Sequence, residues 1–134
     1  VAARDPQRAK AFAEKYGVER VLPSYADVIK DAEVDVVYNP LANALHAPWN
    51  LAAIAAGKPV LTEKPFARDR AEAERVAEAA DAAGVTVLEG FHYLFHPVTQ
   101  RAFELAVDGT LGRIIHVEAR MAMPPPQPVP TGNL

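Results

Sequence analysis

The chain has 134 residues, 50% of them hydrophobic and 23% charged, with a formal net charge of −3 and no cysteine. That length is enough for one domain with a core, since a chain of this size buries roughly two-thirds of the surface its unfolded form exposes. The composition excludes a disulfide scaffold, an iron–sulfur site and a thiol nucleophile, offers nucleic acid no basic face, and shows neither a membrane span nor an export signal, so the cytoplasm is the expected location.

Residues 1–3 are apolar and read as the inside of a strand. Asp5 is placed to cap a helix that starts with Pro6, carries Ala9, Phe12, Ala13 and Tyr16 on its apolar face, and stops at Gly17. Residues 21–22 could form a brief strand, and Ser24 then caps a short helix through Ile29 with Tyr25, Val28 and Ile29 inward. Residues 34–38 read as a strand ending at Asn39-Pro40. A helix is expected over 46–56, with Leu45, Trp49, Ala52, Ala53 and Ala56 on one side and Pro48 tolerated in its first turn.

Gly57-Lys58-Pro59 is a hard stop, and residues 60–62 form a further strand running into Glu63-Lys64-Pro65. Asp69 caps a long helix to about Ala83, closed by Gly84, with Ala73, Val76, Ala77 and Ala80 toward the sheet. Residues 85–88 are the next strand. Near-continuous apolar strands between amphipathic helices predict an α/β fold, a doubly wound parallel sheet covered on both faces.

The pattern changes at Gly90. A helix is expected over 97–107, a turn at Gly109 and Gly112, and a strand over 114–123 whose alternation implies one wet face. The division falls at 1–92 and 93–134. Of the 12 prolines, five lie among the last eleven residues, which predicts a linker or loop after Met123.

In open α/β sheets ligands gather at the carboxyl ends of the strands. Arg4-Asp5, residues 39–46, Glu63-Lys64-Pro65 and residues 89–96 fall there. Arg4 suits a dinucleotide's 2′-phosphate, favouring NADP over NAD, but also fits a solvent-facing position beside a helix cap. Asp5 would weaken that preference if it faced the ribose instead of capping. Lys64 follows a buried strand, where a lysine can hydrogen-bond a substrate oxygen and exchange its proton; the alternative is a Glu–Lys surface pair. His46, His92 and His96 lack metal-ligand spacing, so no metal is expected. His46 reads as a helix-start residue that packs or bonds locally. Tyr93 and His96 could touch substrate or nicotinamide, or join Phe91 and Phe95 in an aromatic hinge. No glycine-rich phosphate loop occurs in these residues.

The motifs Ala-Ala-Arg-Asp, Tyr-Asn-Pro-Leu-Ala-Asn-Ala-Leu-His, Ala-Gly-Lys-Pro-Val-Leu-Thr-Glu-Lys-Pro and Gly-Phe-His-Tyr-Leu-Phe-His-Pro occur in this order. Together they resemble the Gfo/Idh/MocA family of NAD(P)-dependent oxidoreductases, nearest its dihydrodiol, xylose and glucose–fructose oxidoreductase-like branch. The resemblance implies a Rossmann-like sheet, here incomplete, followed by the start of an α/β domain whose mostly antiparallel sheet mediates homo-oligomers. The family's Gly-x-Gly-x-x-Gly strand and turn would precede Val1, and its later Asp and His motif would fall beyond Leu134. In a 3-2-1-4-5 strand order the family's first strand lies between residues 1–3 and 34–38, so this stretch alone is expected to be unstable, gapped there, or the ordered part of a larger molecule.

The resemblance also implies roles. Arg4 reads the adenosine ribose or its phosphate. Asn39, Pro40, Asn43 and His46 belong to the loop beside the dinucleotide, and Glu63 lies near the nicotinamide ribose. Lys64 sits at the reacting carbon, and Pro65 follows a bond that is often cis. Tyr93 and His96 match the junction motif, with Leu94 where arginine is common. The implied function is hydride transfer between NADP(H), or NAD(H), and a CH–OH or carbonyl carbon of a sugar, polyol or cyclic diol. The competing readings are a non-catalytic dinucleotide-binding protein, an NAD-dependent glycoside-cleaving member, and a piece that only packs against a partner.

Overall fold

The computed structural model describes residues 1–120 and 122. It divides into two compact units, Val1–His92 and a second from Tyr93 onward. In the first unit the order is α1 (Pro6–Tyr16), α2 (Tyr25–Lys30), β1 (Val37–Asn39), a 3-10 turn (Asn43–Leu45), α3 (His46–Ala55), β2 (Val60–Thr62), α4 (Arg70–Ala83) and β3 (Val87–Glu89). The strands form one parallel sheet, β1-β2-β3.

Local chemistry sets most helix ends. Asp5 accepts from Gln7 N at 2.8 Å with Pro6 at the first helical position. Ser24 accepts from Asp27 N at 3.2 Å, and Asp69 accepts from Glu72 N at 2.9 Å. These side chains satisfy amides that a helix start leaves unpaired. Gly17 and Gly84 close α1 and α4 at φ 67° and 64°, a region a β-carbon disfavours.

The register aligns Val37, Val60 and Val87, then Tyr38, Leu61 and Leu88, then Asn39, Thr62 and Glu89. Because side chains alternate along a strand, the first and third rows share one face. On it, Val37 and Val60 pack with Ile29 and Ala53, and α3 and α4 join through Ala47, Ile54, Val76 and Ala80. The middle row points the other way, with Tyr38, Leu61 and Leu88 exposed. Helix cover on both faces was expected; among the described residues the strands have it on one.

Other expectations need correction. Residues 1–3 form no strand: Val1 donates to Arg20 O and accepts from Leu22 N, both at 2.8 Å, a single bridge with no ladder beyond it. No backbone hydrogen bond joins that pair to β1 among the described residues. β1 and β3 start later than expected. Lys58 Nζ binds the carbonyls of Asp31 and Val34, and Val85 N is used on Ala80 O to finish α4, so both approaches are held outside the ladder. Phe12 and Tyr16 are exposed and stack on each other at 4.6 Å, leaving Ala9 and Ala13 as the buried stripe of α1. Ala56 and Ala77 are exposed, too.

In the second unit α5 (Pro97–Val107) begins with His96 as its cap, after a 3-10 turn at His92–Phe95. Residues 114–120 are not strand and are exposed, since alternation yields a strand only where another strand pairs with it. The tail after Met123, read as a linker or loop, lies outside the described residues. No helix of the described residues is long and apolar enough to cross a membrane.

Glu72, 3% exposed, accepts from the backbone and guanidinium of Arg68 while donating its own amide to Asp69. Arg68 holds its carboxyl below the usual glutamate range, against the cost of burial. The pairing therefore stabilises the fold fully above the unfolded glutamate value of about 4.3, and is lost as pH falls through the lower folded value. In the full-length protein, Glu72→Gln should lower the thermal midpoint at about pH 7, with the difference from wild type closing toward about pH 3. A gap that persists at the lower pH would contradict this.

Candidate functional site

The three strands end in register at Asn39, Thr62 and Glu89, so the loops that follow leave from one edge. The Glu63-Lys64-Pro65 loop is pinned along its backbone. Glu63 N donates to Asn39 O at 3.0 Å, Lys64 N to Glu63 Oε2 at 3.3 Å and Phe66 N to Glu89 Oε1 at 2.7 Å, while Pro65 O lies 2.7 Å from His46 Nδ1. The Lys64–Pro65 bond is cis, as the resemblance implies. The Lys64 side chain is exposed, and its ammonium has no hydrogen-bond or ion-pair partner among the described residues. A fixed backbone thus presents an uncommitted cation.

Glu63 lies beside it. Tyr38 Oη donates to Glu63 Oε1 at 2.9 Å, and His92 Nε2 lies 3.9 Å from the same oxygen. The Tyr38 bond, helped by the Lys64 amide and by the charges of His92 and Lys64, outweighs desolvation and holds the Glu63 carboxyl below its usual range. The same bond raises the Tyr38 hydroxyl.

Beneath this edge lies a buried polar layer. His46 is wholly buried, with Nε2 2.6 Å from Leu41 O and Nδ1 2.7 Å from Pro65 O. Both ring nitrogens therefore face acceptors, and the ring braces one strand-end loop against the other. Asn39, also buried, donates to Asn50 Oδ1 at 2.7 Å and His46 O at 3.3 Å, and accepts from Leu41 N at 3.3 Å. Asn50 Nδ2 is buried without a partner among the described residues. The side chains of Asn39 and His46 thus shape the loop from inside.

Pro40 and Asn43 are exposed on that loop. Arg4 is exposed and makes no ion pair among the described residues, while Asp5 is engaged as the α1 cap. Tyr93 and His96 belong to the second unit, where His96 Nδ1 accepts from Val98 N at 3.2 Å. No group of three metal-ligating side chains occurs among the described residues.

Glu89 and His92 fall in the strand-end stretch 89–96 expected at this edge, though with no role of their own, whereas Tyr38 and Asn50 were not expected there. Asn50 left a signal, a polar residue four after His46 and hence on the same helix face. Tyr38 left none, because its bond to Glu63 comes from strand register.

The donor set suits a dinucleotide. Arg4 and Lys64 offer free cations, and the Glu63 carboxylate keeps lone pairs for hydroxyl donors.

The profile of the Gfo/Idh/MocA oxidoreductase family, an NAD-binding Rossmann fold, matches residues 1–91. The D-xylose 1-dehydrogenase (NADP⁺) 2 of Haloferax volcanii is 41% identical, covering 91% of this chain and 37% of that protein. The mouse trans-1,2-dihydrobenzene-1,2-diol dehydrogenase is 38% identical, covering 84% and 34%. A crystal structure of a 3-ketoreductase from Actinomadura kijaniata with TDP-benzene and NADP superposes with a TM-score of 0.72 at 40% identity, covering 81% of this chain and 34% of that one. The chain spans about a third of the length of these relatives.

Proposed function

Because the chain belongs to the Gfo/Idh/MocA family of oxidoreductases, we propose that it forms the dinucleotide-binding part of an NADP(H)-dependent enzyme acting on a sugar, polyol or cyclic diol. The relatives named as an NADP⁺-dependent xylose dehydrogenase and a diol dehydrogenase support that substrate class. The dinucleotide, when bound, supplies the hydride acceptor or donor. Lys64 hydrogen-bonds the reacting oxygen; as the neutral amine it takes the hydroxyl proton when the carbinol is oxidised, and as the ammonium it returns that proton in the reverse direction.

The observation that carries this reading is the Lys64 loop, fixed along its backbone with its ammonium free. Glu63 and Pro65 flank Lys64 in the chain; Glu63 takes the nicotinamide ribose. Asn39, Pro40, Asn43 and His46 form and brace the loop along the dinucleotide, and Tyr93 and His96 serve the substrate side. Arg4 takes the 2′-phosphate, a charge-assisted contact NADH cannot make.

Fluorescence titration of the full-length protein should therefore give tighter binding of NADPH than of NADH. Arg4→Ala should erase about tenfold of that preference, a value typical of a bond to a charged group. Equal affinities in wild type would overturn the role of Arg4. Tight NADPH binding without turnover on any polyol would instead support a non-catalytic binding protein.

A further inference from the structure

Glu63 is held on both oxygens. Tyr38 Oη, from β1, donates to Oε1 at 2.9 Å, and the Lys64 amide donates to Oε2 at 3.3 Å. Gly90 lies beside the carboxylate: a β-carbon built there would stand 3.7 Å from Glu63 Oε1 and 3.4 Å from Thr62 O. A carboxylate offers about four acceptor sites, so two fixed donors leave about two lone pairs open. An unheld glutamate would sample several rotamers and lose that freedom only on binding.

We propose that Tyr38 is a positioning residue for the dinucleotide: its hydroxyl holds the Glu63 carboxylate in one orientation, ready to accept from a vicinal diol such as a ribose. The inference rests on the reading of Glu63 given above. Tyr38 lies 25 residues from Glu63 in sequence and reaches it only through the β1–β2 register. Its ring sits on the exposed sheet face in register with Leu61, so removing the hydroxyl leaves the core untouched. The same bond favours the ionised carboxylate, the form that accepts from hydroxyl donors. The other titratable groups at this point are Lys64, His92 with Nε2 3.9 Å from Oε1, and Glu89, whose Oε1 is engaged by Phe66 N.

The test uses the full-length protein as wild type, Tyr38→Phe, Glu63→Gln and the double variant, each also with His92→Asn to remove the side chain that lies 3.9 Å from Glu63 Oε1. NADPH dissociation constants are measured from about pH 5 to pH 8, with thermal midpoints alongside. Tyr38→Phe should weaken binding about threefold, to nearly the same extent at both ends of this range, with the midpoint unmoved. On Glu63→Gln it should add less than about twofold, since the two residues act as one unit.

Equal weakening by Tyr38→Phe in both backgrounds would overturn the proposal. So would a Tyr38→Phe protein that binds like wild type while Glu63→Gln binds poorly; that result would leave the reading of Glu63 standing. A Glu63→Gln protein with wild-type affinity at every pH would instead remove the reading of Glu63, and this proposal with it.

Discussion

Lys64→Met in the full-length protein is expected to lower kcat by about a hundredfold to ten-thousandfold, the usual range for losing a positioned proton-transfer group. KM for the polyol should change much less, and NADPH affinity should stay within about threefold, because Lys64 acts on the reacting oxygen. The side chain is exposed and makes no bond that holds the loop, so the thermal midpoint should not move. Lys64→Arg should not rescue the rate, since a guanidinium keeps its charge and cannot take up the proton. Steady-state kinetics alongside cofactor titration separates these effects. A Lys64→Met enzyme with wild-type kcat would remove Lys64 from the chemistry.

His46→Ala is expected to act through stability. The substitution removes a wholly buried ring whose nitrogens lie against the Leu41 and Pro65 carbonyls, and leaves the carbonyl that its N–H serves unpaired. A cavity plus an unpaired buried acceptor costs about 3 kcal/mol, and the Lys64 loop loses the brace at Pro65. The variant should therefore unfold at lower denaturant and also turn over more slowly. His46→Gln can remake only part of a contact that needs two ring nitrogens at 2.6 and 2.7 Å, so it should recover little. A variant with wild-type stability but weakened NADPH binding would place His46 against the cofactor instead.

The local parts of this fold were legible in the sequence because their causes are local. Asp5, Ser24 and Asp69 cap helices by bonding amides two or three residues ahead, and Gly17 and Gly84 end them through backbone freedom. Lys64, Glu63 and Pro65 were legible as a motif directly after an apolar strand. What stayed hidden depends on tertiary placement. The strand limits moved because Lys58 and the end of α4 engage backbone groups that could otherwise pair. Phe12 and Tyr16 satisfy a helical apolar period yet are exposed, because the small Ala9 and Ala13 make the close contact. Residues 114–120 alternate as a strand should but are not paired as one. The holding of Glu63 by Tyr38 and of Pro65 by His46 crosses 25 and 19 residues, distances over which no local pattern carries information.

The most direct measurement of the central claim is nicotinamide absorbance in the full-length protein, mixed with NADP⁺ and a panel of aldoses, polyols and cyclic diols. Absorbance should rise with a subset of the panel, and Lys64→Met should slow the rise at least about a hundredfold while still binding NADPH. An unchanged absorbance across the panel despite tight NADPH binding, or a Lys64→Met protein as fast as wild type, would contradict it.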